Sequence, residues 1–195
     1  MSNTKSATGH EAERLATRDK ERTRRALLDS AIELFAAQGA GVSLAEIASR
    51  AGVSKGALTH HFPSRHELEQ ATLAEGAQRF WDEVHSHVDL SENRPGKLLR
   101  GYVRALTADS ELMRQLFSSS YLMQLFGSEQ SQHNIFEQDA TSWREVFAND
   151  GIAEGTSLAV RFAAEGLAAS IGSPYLNPRE LELARRRLLE LSEIG

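Results

Sequence analysis

Between Lys55 and His61 the sequence K-G-A-L-T-H-H gathers hydrogen-bond donors around an almost bare stretch of chain. Gly56 and Ala57 carry next to no side chain, so the backbone there can approach another surface closely, while Lys55, Thr59, His60 and His61 surround the gap with donors. A glycine inside a helix costs about 1 kcal/mol relative to alanine, so something other than helix stability favours Gly56. The major groove of double-stranded DNA admits a helix end of this shape. Catalytic or metal chemistry has no comparable set. Among the histidines, His60 and His61 are adjacent and diverge on a helix, His85 and His87 are two apart and also diverge, and His133 and His10 stand alone. No H-E-x-x-H, G-x-S-x-G, P-loop or G-x-G-x-x-G is present, and the absence of cysteine excludes disulfides and thiolate chemistry. The expectation is a binding protein, not an enzyme, with no cofactor and no metal.

The elements that must hold these donors are written into the residues on either side. Ser43 with Glu46 three residues on is a capping box, and Leu44, Ile47, Ala48 and Ala51 then line one helical face. Gly52 supplies a left-handed residue to end that helix. Ser54 caps the next, with Val53 and Leu58 as a hydrophobic staple, and Pro63 stops it after Phe62. Ser64 and Glu67 form a second capping box that opens another helix. Two short helices joined by a Gly-containing turn over 43–62 make a helix-turn-helix. An earlier helix over about Asp19 to Gln38, with Leu27, Leu28, Ala31, Ile32 and Phe35 as its buried stripe, packs against them, and Phe35, Ile47, Leu58 and Phe62 form the centre of the core.

The segment from about Thr23 to Leu73 resembles the DNA-binding domain of the TetR (tetracycline-repressor-type) family of transcriptional regulators. The resemblance is carried by A-I-E-L-F-A-A-Q-G, then S-L-A-E-I-A-S-R-A-G-V-S-K-G-A-L, then H-H-F-P-S-R-H-E-L. It implies that Lys55, Gly56, Thr59 and His60 face base edges or adjacent phosphates, and that Ser43, His61 and Arg65 act as phosphate clamps. Two positions depart from the pattern: Thr59 stands where most relatives have tyrosine, and Ala45 where some have a base-reading arginine. The operator sequence is therefore not transferable.

The remainder of the chain reads as helical. The net charge of −5 divides unevenly: residues 1–66 hold ten Lys/Arg against seven Asp/Glu, and residues 67–195 hold twelve against twenty. That is a mildly basic reading head on an acidic body, and the local field of the docking face governs phosphate contact. Residues 1–17 read as a disordered tail or, since Arg18, Lys20, Arg22, Arg24 and Arg25 follow at once, as a basic arm that touches DNA once ordered; 18–66 read as the helix-turn-helix domain and 67–195 as a regulatory and dimerisation domain. A fourth helix runs from Ser64 to about Val88 as the only continuous link between head and body. Beyond it, helical periodicity marks about 95–108, 110–126, 130–149, 154–171 and 178–194, the last opened by Asn177, Pro178 and Glu180. No stretch alternates as a strand does. The fold class expected is all-α, about nine helices, with an N-terminal three-helix helix-turn-helix domain and a C-terminal helical ligand-binding and dimerisation domain. There is no apolar run of membrane-spanning length and no apolar signal core, which fits a cytoplasmic protein.

The resemblance also implies partners. A small-molecule pocket in the body draws on Trp81, Tyr102, Met113, Phe117, Tyr121, Trp143 and Phe147, with Met123 beside them. With no buried charge evident, the ligand expected is neutral and largely apolar. The last two helices pair with their copies into a homodimer through Leu158, Phe162, Gly166, Leu167, Leu181, Ala184 and Leu188. The function implied is a ligand-responsive regulator, a repressor released from a palindromic double-stranded operator by a small molecule. Two alternatives stay open: a DNA-binding dimer without a ligand, working as an activator or through a protein partner, and an enzyme using the helical body, for which no residues speak.

Overall fold

The computed structural model describes residues 4–126 and 130–193. It holds ten α-helices and no strand among the described residues. The head consists of α1 (Thr4–Gln38), a single 3-10 turn (Gly39–Gly41), α2 (Leu44–Arg50) and α3 (Lys55–His61). Helix α4 (Arg65–Ser86) leads into the body, made of α5 (Lys97–Leu106), α6 (Glu111–Leu116), α7 (Ser119–Phe126), α8 (Gln130–Ala148), α9 (Glu154–Ser170) and α10 (Pro178–Leu191).

The capping residues act where the sequence puts them. Ser43 Oγ accepts the Glu46 N–H at 3.2 Å while the Glu46 carboxylate takes the Ser43 N–H at 2.7 Å. These bonds hold the Glu46 carboxyl below its usual range. Ser54 Oγ accepts from the Ala57 N–H at 3.1 Å, and Gly52 adopts φ +70°. The second box closes differently. Ser64 Oγ accepts from the Glu67 N–H at 3.1 Å, but its own proton goes to the Glu67 carboxylate at 3.4 Å. Asn177 and Glu180 form a full reciprocal box with Pro178 just inside it.

Two stretches differ from the sequence expectation. Helix α1 begins at Thr4, well before Asp19, and so runs through most of the stretch read as a tail. That stretch is rich in Ala, Glu, Arg and Lys and has no proline, and residues 14–20 are all exposed, so helix propensity and not burial supports it there. The pattern over 110–126 is two helices. Ser118 Oγ accepts the Tyr121 N–H at 3.2 Å, capping a fresh helix where one continuous helix was expected. This break brings the count to ten instead of nine.

Phe35, Ile47, Leu58 and Phe62 are all buried at the centre of the head. Their core continues without interruption into the body through Leu68, Leu73, Val84 and the buried face of α5. Helix α4 packs on α1 and α5, while α5 packs on α9 and both touch α10. Helix α1 also rests on α6 and α7. The link between head and body is therefore wider than α4 alone.

The base of the body is pinned by Arg100, 1% exposed. Its guanidinium donates to the carbonyls of Pro95 (2.9 Å) and Ser192 (2.7 Å) and to Glu92 (2.6 Å), whose second oxygen takes Arg104 at 3.1 Å. Burial works to raise the Glu92 carboxyl, and the bonds from Arg100 and Arg104 outweigh it, leaving it below its ordinary range. A buried charge is tolerated because each of these groups is paired and hydrogen-bonded.

Candidate nucleic-acid interface and regulatory body

Helix α3 turns Leu58 into the core and leaves Lys55, Gly56, Thr59 and His60 exposed. At Gly56 an added Cβ would meet only Ser54 Oγ, at 3.8 Å, so nothing in the fold itself requires glycine there. Thr59 Oγ1 donates to the Lys55 carbonyl at 2.9 Å, which fixes the methyl-bearing side chain against its own helix. His61 is half-buried, its ring beside Phe62 and its Nδ1 without a hydrogen-bond partner among the described residues. Burial first, then the neighbouring charges of His60, Lys20 and Arg24, hold its imidazole below the usual range, favouring the neutral ring.

The two other residues expected as clamps are already engaged. Ser43 Oγ serves the α2 cap. Arg65 donates to the Val42 carbonyl and to Glu69 (2.7 Å), so it fastens the start of α4 to the strap before α2. Lys55, Gly56, Thr59 and His60 thus share one open face, His61 lies at its edge, and Ser43 and Arg65 hold the frame. The sequence offered Arg24 only as one residue of a basic arm; in the fold it reaches this end of α3, its guanidinium 5.1 Å from the centre of the Phe62 ring. Its four-residue spacing from Lys20 was the available signal.

In the body, five of the residues expected around a pocket meet in one aromatic cluster with Phe80. Trp143 lies 4.4 Å from Trp81, 5.4 Å from Phe80 and 5.5 Å from both Tyr102 and Phe147, centre to centre. Phe117 joins through Phe80 at 5.6 Å. Two charged side chains of α9 border this cluster. Tyr102 Oη donates to Glu165 at 2.6 Å, and the Arg161 guanidinium sits 4.3 Å over Phe147. Burial and the Glu165 carboxylate push the Tyr102 phenol well up. The four-residue spacing of Arg161 and Glu165 was legible in the sequence, but their placement against rings from α5 and α8 was not. Met113 and Tyr121 are buried in the same core, with Tyr121 Oη directed at Gly76 of α4. The side chain of Met123 lies outside the described residues. Among the described residues no group of three or more His, Asp or Glu could hold a metal ion.

Residues 27–72 match the family model for bacterial regulatory proteins of the tetR family, and residues 96–193 match that for a tetracyclin repressor-like C-terminal domain. The chain belongs to the TetR family. The members of that family are DNA-binding transcriptional regulators.

Among relatives of this TetR-family chain, the HTH-type transcriptional regulator SrpR of Pseudomonas putida is 36% identical over 80 residues, 34% of this chain and 38% of that protein. An uncharacterized HTH-type transcriptional regulator, TtgW, also of Pseudomonas putida, is 37% identical over 87 residues, 37% of this chain and 64% of that protein. The chain thus spans less than two thirds of either curated relative. A TetR-family transcriptional regulator from Rhodococcus sp. has the same fold, with a TM-score of 0.69 over 87% of this chain and 96% of its own at 21% identity. No helix among the described residues is long and apolar enough to cross a membrane.

The outer side of α9 is apolar and open. Leu158 is 40% and Phe162 63% exposed, and a Cβ at Gly166 would meet nothing within 4 Å. Leu167, Leu181 and Ala184, expected beside them, are half-buried. Leu188, at 7% exposed, faces the chain's own core because α10 packs on α5 as well as α9. Leu183 is the exposed leucine of α10, at 50%, and stands among charged residues on the other side of that helix.

Proposed function

We propose that this regulator is a repressor that binds a palindromic operator as a symmetric dimer and is released by a small molecule. The observation that carries the DNA-binding part is the open, nearly bare face of α3, where Gly56 has free space around it and Lys55, Thr59 and His60 stand exposed. The apolar stripe of Leu158, Phe162 and Gly166 is the surface on which a second copy pairs. Such a dimer sets two α3 helices about 34–36 Å apart in successive major grooves. Acting on chromosomal DNA, it works in the cytoplasm.

The ligand enters the body beside the Trp143 cluster, with Tyr102, Glu165 and Arg161 supplying polar contacts at its edge. A ligand that binds one orientation of the head better by about 1–3 kcal/mol changes operator affinity about 5- to 150-fold. Selection of bound sequences from random duplex DNA tests the reading: inverted repeats are the expected product, and a pool without enrichment refutes it. The close mutual packing of the rings favours a second reading, a DNA-binding dimer with no small-molecule ligand. Titrating candidate small molecules against the operator complex separates the two, since affinity that no compound alters supports the second.

A further inference from the structure

Three cations of the head are paired with carboxylates. Arg22 pairs with Asp19 at 3.1 Å, Arg50 with Glu33, and Arg65 with Glu69 at 2.7 Å. Lys20 and Arg24 have no carboxylate partner among the described residues, and both are exposed. Standing four residues apart on α1, they share one face of it. That face looks onto the C-terminal end of α3. Arg24 lies over Phe62, whose ring is 6.5 Å from that of His61, and His61 is 5.8 Å from His60. Lys20 and Arg24 are close enough to act on the His61 imidazole, in the sense that disfavours a further positive charge. Among the described residues, the charged or titratable groups that act on His61 are Lys20 and Arg24 of α1 and His60 of α3.

The Phe62 ring gives Arg24 a packing partner, but no carboxylate among the described residues offsets Lys20 beside it. Like charges one turn apart on a helix oppose each other by a few tenths of a kcal/mol, and the half-buried His61 Nδ1 is left without a partner among the described residues. An external anion removes both penalties. We propose that Lys20, Arg24, His60 and His61 form one composite site that grips the DNA backbone at a phosphate beside the C-terminal end of α3. The forked guanidinium of Arg24, steadied by the Phe62 ring, supplies directional donors, and Lys20 adds a point charge. The site rests on the DNA-binding reading above and extends it, because it brings α1 into contact with the duplex and so fixes the angle at which α3 enters the groove.

The test uses the full chain and a fluorescein-labelled duplex of random sequence, followed by anisotropy across a potassium chloride series. Lys20→Gln and Arg24→Gln are each expected to weaken binding roughly three- to tenfold at fixed salt and to lower the salt slope by about one. Arg22→Gln, whose charge is already paired, is expected to leave both nearly unchanged. Melting followed by circular dichroism confirms that the variants fold; Lys20 covers no core residue, so its variant decides the matter if Arg24→Gln loosens Phe62. Wild type that binds while Lys20→Gln and Arg24→Gln bind equally well overturns the site, as does an equal loss in Arg22→Gln. Wild type that ignores duplex DNA even at low salt refutes the DNA-binding reading itself, and the site with it.

Discussion

Gly76 and Tyr121 make a pair whose energetics can be worked from the structure. Gly76 lies in the middle of α4, where glycine costs about 1 kcal/mol against alanine. A Cβ at this position would overlap Tyr121 Oη, while the next atoms, Leu116 Cδ2 and Tyr121 Cζ, stand at 3.2 and 3.3 Å. The Tyr121 ring is 2% exposed and rigid, so it cannot swing clear. Overpacking of this kind costs about 1–3 kcal/mol; set against the helix gain, Gly76→Ala is expected to lose about 0–2 kcal/mol. The Tyr121 hydroxyl has no hydrogen-bond partner among the described residues. Removing an unsatisfied buried hydroxyl should cost little, so Tyr121→Phe is expected to lie within about 1 kcal/mol of wild type or above it. In the double variant the overlap is gone and the helix gain remains. Gly76→Ala/Tyr121→Phe should therefore be more stable than Gly76→Ala by at least about 1 kcal/mol and should match or exceed wild type. Urea denaturation of the four proteins measures the cycle. Additive effects would sink the reasoning, as would a loss above about 2 kcal/mol in Tyr121→Phe, which would mean that the hydroxyl is bonded.

Gly56→Ala should separate stability from function. With open space around the new methyl it gains up to about 1 kcal/mol of helix stability yet weakens duplex binding, and anisotropy showing undiminished affinity would refute the bare-face argument. Arg100→Met strips one partner from half-buried Glu92 and unbinds two carbonyls; a loss of roughly 3 kcal/mol, softened by Arg104, is expected in urea melts. Phe162→Glu places charge on the exposed α9 stripe and should yield monomers by light scattering at concentrations where wild type is dimeric. His61, with its folded pKa lowered, binds protons more readily when unfolded, so its contribution is intact above about pH 6.5 and lost as pH falls below it. Melting temperature should therefore fall less between pH 7.5 and 5.5 in His61→Gln than in wild type; equal falls would remove His61 as the cause.

What the sequence disclosed was local. A capping serine and its glutamate lie three residues apart, and Ser43–Glu46 and Asn177–Glu180 close as their spacing requires. The stripe ending in Phe35 and the helix-turn-helix spacing likewise needed only short-range geometry. Arg100 was illegible for the opposite reason: one of its acceptors, the Ser192 carbonyl, is 92 residues away. Nothing near it in sequence distinguishes it from a solvated arginine. The faces of α10 show the same limit. Helical period groups Leu181, Ala184 and Leu188 correctly, but only the packing of α5 and α9 decides that this side turns inward and Leu183 outward. At the α3 surface, residue types pointed to a face that is open in the fold, while the engagement of Arg65 with Val42 and the reach of Arg24 depend on how three helices are set together.

That three-helix setting is not independent of the body. Arg79 of α4 bonds Glu75 at 2.8 Å and also reaches Asp29 of α1, so α1 and α4 are tied one turn beyond Gly76. Helices α6 and α7 press on α1 directly, and Phe117, between them, meets Phe80 of α4 in the aromatic cluster. A side chain that moves in that cluster therefore has two routes of packed contact to the head: along α4, and through α6 and α7 onto α1. Close-packed interiors transmit such shifts because there is no void to absorb them. The α1 end of that second route carries Lys20 and Arg24, and the α4 end begins at Arg65 beside α2. A rotation of α4 against α1 would thus alter the relation between the α1 cations and the α3 face, the two surfaces proposed to meet one duplex together.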